Sequence, residues 1–268
     1  MNSEEICASI LREALPPLDP TKSGDFIEVG CGTFAYYFEL FASMGYRTFA
    51  VEPLAVPQLR QACQRSQTFL VEACIADIDG EKIMYVGTYQ NNENVNLSSL
   101  VDDWWGSSGR KIRVRSLTLA SLLALTRSQR VTGLKIDVEG AEAIILRQLP
   151  ALPPSLLPLS IMFEYGGGDD RQTGEKGWSP KFLAATVECL GILKNCGYAH
   201  ALIVDSQAEM AIFNLTHDLL STEQLFPGNA NYGNIIVFHS SSNISGPNLV
   251  TISMRYAGGE LRDLVPNL

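Results

Sequence analysis

Two short runs rich in β-branched and aromatic residues, "FIEVG" (Phe26 to Gly30) and "TFAVE" (Thr48 to Glu52), flank a stretch with helical periodicity from Ala35 to Met44. Strand, helix, strand in that order is a βαβ unit. The alternation continues through "TFLVEACIAD", strand-like at Phe69 to Ala73, then "KIMYVG", a helix near Leu117 to Leu125, "GLKIDVE", the helix "GAEAIILRQL" and the strand "LSIMFEY". Strand followed by helix, repeated, predicts an α/β fold with a parallel sheet covered on both faces. Later, Ser179 and Pro180 suit the start of a helix that runs to Cys196 and ends at Gly197. The runs "AHALIVD", "EMAIF" and "NIIVF" then read as late strands close enough together to pair antiparallel. Ahead of the alternation, residues 3 to 14 form a covering helix, which "PPLDPTKSG" breaks. This divides the chain into a helix and linker (1–24), a main domain (25–239) and a polar tail (240–268) with one strand-like run at Leu249 to Tyr256.

Composition narrows the ligand. A formal net charge of −9 over 268 residues opposes a broad nucleic-acid surface and suits a cationic or neutral ligand. Six scattered cysteines without a CxxC pair read as reduced core thiols, so neither a metal site nor a disulfide framework is expected. No apolar run reaches the roughly 18 residues of a membrane span, and the N-terminus carries acids where a signal peptide needs bases. The expectation is a cytoplasmic protein.

The stretch "EVGCGTFA" follows a strand and opens a helix, so Gly30, Cys31 and Gly32 form a tight turn that a ligand can approach. Taken alone, the pattern fits a nicotinamide dinucleotide as well as S-adenosylmethionine. Glu28 tips the balance, because a carboxylate there is poorly placed beside a pyrophosphate and well placed to pair with an ammonium. Glu52, 20 residues after Gly32, ends the next strand, where a carboxylate can accept both ribose hydroxyls of either cofactor. Asp77 in "IADIDG" reads equally as an adenine contact or an ordinary turn.

In "LKIDVEGAE", Leu134 to Glu142, strand alternation gathers Lys135, Asp137 and Glu139 on one face at a strand's carboxyl end. Buried carboxylates without partners are costly, so Asp137 and Glu139 are candidates for chemistry, with Lys135 to hold or tune them. Glu142 falls in the first turn of the next helix, where a carboxylate meets the helix dipole favourably. "SSLVDDWWGSSGRKIRVRS" sets Trp104 and Trp105 before Arg110, Lys111, Arg113 and Arg115. This segment reads either as an acceptor-binding surface or as an exposed strand guarded by charge. Glu164 stands at the root of a long Gly-rich loop suited to cover an acceptor. His200, His217 and His239 stand alone and read as structural.

The segments "FIEVGCG", "AVEP", "IADIDG", "LKIDVEGAE", "IMFEY" and "CGY", in that order between Asp25 and Phe238, resemble the FkbM family of S-adenosylmethionine-dependent methyltransferases. "KIDVEGAE" is the most specific of them. The resemblance implies a seven-stranded Rossmann-like sheet with an antiparallel strand near its C-terminal end, and O-methylation of a small molecule or glycan. It carries Glu28, Gly30, Gly32 and Glu52 as cofactor contacts, and Asp137 and Glu139 to the reaction centre. Departures from the family pattern are Cys31 and Gly32 where members often have Asn, and Leu119–Ala120 where they often have Leu-Asp. Two other classes stay open: an NAD(P)-dependent oxidoreductase, and a cofactor-binding regulatory domain without turnover.

Overall fold

In the computed structural model, the strand-like runs at Asp25–Val29 and Val131–Ile136 are buried on both faces, which is why they are largely apolar. The structure describes residues 1–104, 106–166, 180–216, 232–242, 244–257 and 261–263. The chain divides into two compact units, Lys22–Pro158, and Met1–Thr21 with Leu159–Leu268.

Helix α1 (Ser3–Leu18) opens the second of these units with a capping box. Asn2 Oδ1 accepts the Glu5 N–H at 2.8 Å and the Glu5 carboxylate accepts the Asn2 N–H at 3.1 Å. The break expected at Pro16 and Pro17 does not occur, and the helix reaches Leu18. Both prolines lie in its last turn, so only the two bonds to the Arg12 and Glu13 carbonyls are lost, at the helix end, and Asp19 N–H still closes on the Leu15 carbonyl at 3.0 Å.

Within Lys22–Pro158 the elements run β1 (Asp25–Val29), α2 (Tyr36–Ser43), β2 (Arg47–Val51), α3 (Pro57–Ser66), β3 (Phe69–Val71), β4 (Cys74–Ile75), β5 (Gly80–Tyr89), β6 (Asn92–Glu93), β7 (Ser107–Leu117), α4 (Leu119–Leu125), β8 (Val131–Ile136) and α5 (Glu142–Leu146). Strands β8, β1, β2 and β3 pair in that order, all parallel, with Val29 in register with both Val51 and Ile136. "KIMYVG" does not join them. It lies in β5, which pairs antiparallel with β7 in a separate small sheet completed by β4 and β6. The basic run lies along the exposed face of β7 and is matched there: Arg110 meets Glu93 at 2.5 Å, Arg113 meets Glu81 at 3.9 Å, and the Lys111 ammonium lies 5.2 Å from the Tyr85 ring centre.

The other unit contains β9 (Ser160–Gly166), α6 (Pro180–Asn195), β10 (Tyr198–Asp205), β11 (Met210–Asn214), β12 (Tyr232–His239), α7 (Gly246–Met254) and β13 (Leu261–Asp263). Its strands are ordered β13, β11, β10, β12, β9, with β12 antiparallel to both neighbours and β11 antiparallel to β10. The seven-strand expectation is therefore corrected. Among the described residues, one unit pairs four strands in parallel beside a second sheet of four, the other unit pairs five, and antiparallel pairing is not confined to one strand. The reason is local: Asp205 Oδ1 accepts from the N–H groups of Gln207 and Glu209, both at 2.8 Å, and so tight a turn returns the chain antiparallel. The run Leu249 to Tyr256 is also corrected, since α7 takes most of it. Its β-branched residues suggest a strand, but Ser245 caps a helix by accepting the Asn248 N–H, and Arg255 and Tyr256 both reach Glu13 of α1. Among the described residues no helix is long and apolar enough to cross a membrane.

Candidate active site

At the end of β1 the chain turns through Gly30 (φ +81°) and Gly32 (φ +55°), left-handed conformations that favour glycine. Space demands glycine as well. A Cβ on Gly30 would meet the Asp137 carbonyl carbon at 2.7 Å, and one on Gly32 would meet Asn96 Oδ1 at 2.5 Å. Glu52, one residue past β2, accepts the Gly32 N–H through Oε2 and the Leu54 N–H through Oε1, both at 2.8 Å. Asn96 accepts the Thr33 N–H at 2.7 Å. Beside this turn lies an open cleft of about 750 Å³, mouth included. Gly30, Cys31, Gly32, Glu52, Asp137 and Glu139 all border it, and among the described residues the only acidic or basic side chains along it are the three carboxyls.

Behind the cleft sits a buried cation. Lys135 Nζ is 2.9 Å from Asp137 Oδ2, 3.7 Å from Glu28 Oε1 and 5.2 Å from the centre of the Tyr37 ring. Glu28 is buried and accepts the Phe38 N–H at 2.9 Å, which ties β1 to α2. Glu28 does not border the cleft. Strand alternation turns it toward α2 and Lys135 instead.

Beyond Asp137 the charged face expected of an extended strand breaks, because Glu139 adopts a left-handed backbone (φ +58°). Three hydrogen bonds hold that turn. Glu142 Oε1 accepts the N–H groups of Val138 at 3.0 Å and Gly140 at 3.3 Å, and Ser99 Oγ donates to the Glu139 carbonyl at 2.7 Å. Burial, with Asp137 and Glu142 close by, pushes the Glu139 carboxyl well above the usual carboxylate range, while the Trp104 indole and Lys135 pull the other way. Burial likewise pushes Glu142 up to about 7 and raises Glu52 against the backbone donors that hold it. Cys31 is buried with its thiol pushed well up, so it is no nucleophile.

Residues 27–199, well over half of the chain, match the methyltransferase FkbM domain. The chain belongs to the FkbM methyltransferase family. S-adenosylmethionine is accordingly its cofactor. A search of curated protein sequences returns no match. Among solved structures, the FkbM domain is similar to a 1,6-didemethyltoxoflavin-N1-methyltransferase of Burkholderia thailandensis (12% identity, 86% of this chain, 77% of that chain, TM-score 0.39). It is also similar to a putative DNA modification methyltransferase encoded within an E. coli prophage (12%, 84% and 50%, TM-score 0.42). A third is a TehB-like SAM-dependent methyltransferase of Corynebacterium glutamicum (9%, 87% and 86%, TM-score 0.38). Likenesses of this degree decide nothing about the acceptor.

Other expected site residues of the FkbM domain fall elsewhere. Asp77 is exposed, lies 2.6 Å from Lys82 and stands outside the cleft, with that contact holding its carboxyl below the ordinary range. Trp104 is only 4% exposed and its indole meets Glu139, so it has no open face to offer a sugar. Trp105, His217 and the Gly-rich loop after Gly166 lie outside the described residues. Glu164 is in β9, opposite Asn234 of β12. His239 is bound between the Cys196 carbonyl and Ser241, a structural role. Asn96, Ser99 and Glu142 take parts that the sequence reading did not assign. The only signal for the first two is the density of Asn and Ser in "NNENVNLSS", which as a rule marks turns.

Proposed function

We propose that this FkbM domain is an O-methyltransferase acting on a hydroxyl of a small molecule or glycan. The observation that carries the reading is that the ionisable groups of acid or base type among the described residues along a cleft built on the glycine turn are all carboxyls: Glu52, Asp137 and Glu139, with no Lys, Arg or His among those residues. Such a lining suits a sulfonium and an ammonium and repels a pyrophosphate, which opposes the nicotinamide dinucleotide alternative. Glu52 would accept the ribose hydroxyls, and Gly30, Cys31 and Gly32 would supply the wall against which the cofactor lies.

When bound, S-adenosylmethionine supplies a methyl group on a positively charged sulfur. The chain must then relieve the acceptor hydroxyl of its proton. Asp137 is suited to this as general base: Lys135 holds Oδ2, so Oδ1 would take the proton. Glu139, whose carboxyl keeps its proton to higher pH, is better suited to donate a hydrogen bond to the acceptor than to act as base.

The test is transfer from labelled S-adenosylmethionine to a panel of hydroxyl-bearing small molecules and sugar conjugates. Asp137→Asn should bind S-adenosylhomocysteine normally yet turn over at least about a hundredfold more slowly. Near-normal turnover would remove Asp137 from the mechanism. Activity that survives a chelator supports the base role, whereas loss restored by magnesium would make Asp137 a ligand instead. Absence of transfer to any acceptor, with cofactor bound, would favour a regulatory domain.

A further inference from the structure

Among the groups the mechanism leaves unused, one buried acid stands directly on the reacting turn. Glu139 holds a left-handed backbone, which costs a side-chain-bearing residue roughly 1–2 kcal/mol, so its surroundings must enforce it. Glu142 does so with a single oxygen that accepts the N–H groups on either side of Glu139, those of Val138 and Gly140. Ser99 secures the Glu139 carbonyl from the opposite direction. Glu142 is buried and does not border the cleft, so it cannot touch reactants. The charges that face it are those of Asp137 and Glu139, both of the same sign. Electrostatics alone would thus favour a neutral residue here.

We propose that Glu142 is a positioning residue that clamps the 137–140 turn, presenting the Asp137 and Glu139 carboxyls together to the cleft. The inference rests on the methyl-transfer reading above. A clamp needs an oxygen acceptor and not a charge, which separates two variants: Glu142→Gln keeps the acceptor and Glu142→Ala removes it.

The experiment measures amide exchange at Val138 and Gly140, calorimetric affinity for S-adenosylhomocysteine, and label transferred to the acceptor panel. Glu142→Ala should speed exchange at both amides, leave affinity within about twofold and lower kcat by about ten- to a hundredfold, since misplacement by about 1 Å costs that much. Glu142→Gln should stay within about threefold of wild type in kcat. A folded Glu142→Ala protein with wild-type kcat would overturn the proposal, as would a Glu142→Gln protein as slow as the Ala variant. The two readings fail separately. If Asp137 is not the base, Asp137→Asn turns over normally while the Glu142 variants still report on the clamp. If no acceptor is ever methylated, unchanged amide exchange in Glu142→Ala overturns the clamp by itself.

Discussion

Replacing Gly30 with Ala tests how tightly the end of β8 is packed on the glycine turn. Two costs combine. The left-handed backbone at φ +81° penalises any Cβ by roughly 1–2 kcal/mol. The new methyl would also stand 2.7 Å from the Asp137 carbonyl carbon, with the carbonyl oxygen closer still. Carbon atoms are at ease at about 3.5 Å, so the end of β8 must retreat by on the order of 1 Å. Overpacking of this kind costs about 1–3 kcal/mol, giving a total of about 2–5 kcal/mol. Gly109 provides the control, with φ +76° and nothing within 4 Å of an added Cβ, so Gly109→Ala meets only the backbone term. Urea unfolding of both variants separates the terms. Because the retreat moves Asp137 itself, Gly30→Ala should also lose about a hundredfold in turnover on the acceptor panel. The reasoning is refuted if Gly30→Ala is no less stable than Gly109→Ala and keeps its turnover, for then the carbonyl does not occupy the space that only glycine leaves.

Three further outcomes follow from the same geometry. Glu28→Gln should leave S-adenosylhomocysteine affinity unchanged while lowering stability by about 1–3 kcal/mol, because a charged acceptor for Phe38 N–H and a counterion of Lys135 are lost; a fall in affinity in a variant of wild-type stability would return Glu28 to the cofactor. Glu52→Gln should weaken S-adenosylhomocysteine binding in calorimetry by about 1.5–3 kcal/mol, the scale of a hydrogen bond to a charged group, and unaltered binding would exclude Glu52 from the ribose site. Burial raises Glu142 from 4.5 to about 7, so the folded state holds a proton that the unfolded state has released; the resulting stability is fully present below about 4.5 and is lost as pH rises through about 7. Urea midpoints between pH 5 and 8 should therefore slope downward in wild type and less so in Glu142→Gln, with parallel curves contradicting the shift.

The parallel half of the fold was legible because burial on both faces writes itself into composition: all five residues of β1 and all six of β8 are buried, and they are apolar apart from Asp25, Glu28, Thr132 and Lys135. The small sheet was not. β5 and β7 carry the mixed burial of half-exposed strands, a pattern that says a strand exists but not which sheet it joins. For α7 the local signals conflict: "LVTISM" has strand propensity, and the cap at Ser245 with its packing on α1 decides for helix. The roles of Asn96 and Ser99 depend on contacts with residues 33 and 139, far away in sequence, and no spacing rule reaches that far.

Why Glu52 and Asp137 border the cleft while Glu28 does not is a matter of counting from the strand end. Val29, Val51 and Ile136 are the last residues of three neighbouring strands and stand in register. One step further lies a row of Glu52, Gly30 and Asp137, and all three border the cleft. Parallel strands are spaced about 4.8 Å apart, so the two acids start roughly 10 Å from each other with glycine between them. That arrangement leaves room above the middle strand for a ligand and puts a carboxylate at either side of it. One step back lies the row of Ala50, Glu28 and Lys135, still inside the strands. There alternation aims Glu28 and Lys135 at α2, where Phe38 N–H and the Tyr37 ring receive them. An acid one residue inside a strand end thus braces the wall of the cleft, and an acid one residue past it borders the cleft. Lys135 joins the two rows by binding Asp137 from behind, so Glu28 and Asp137 share one cation.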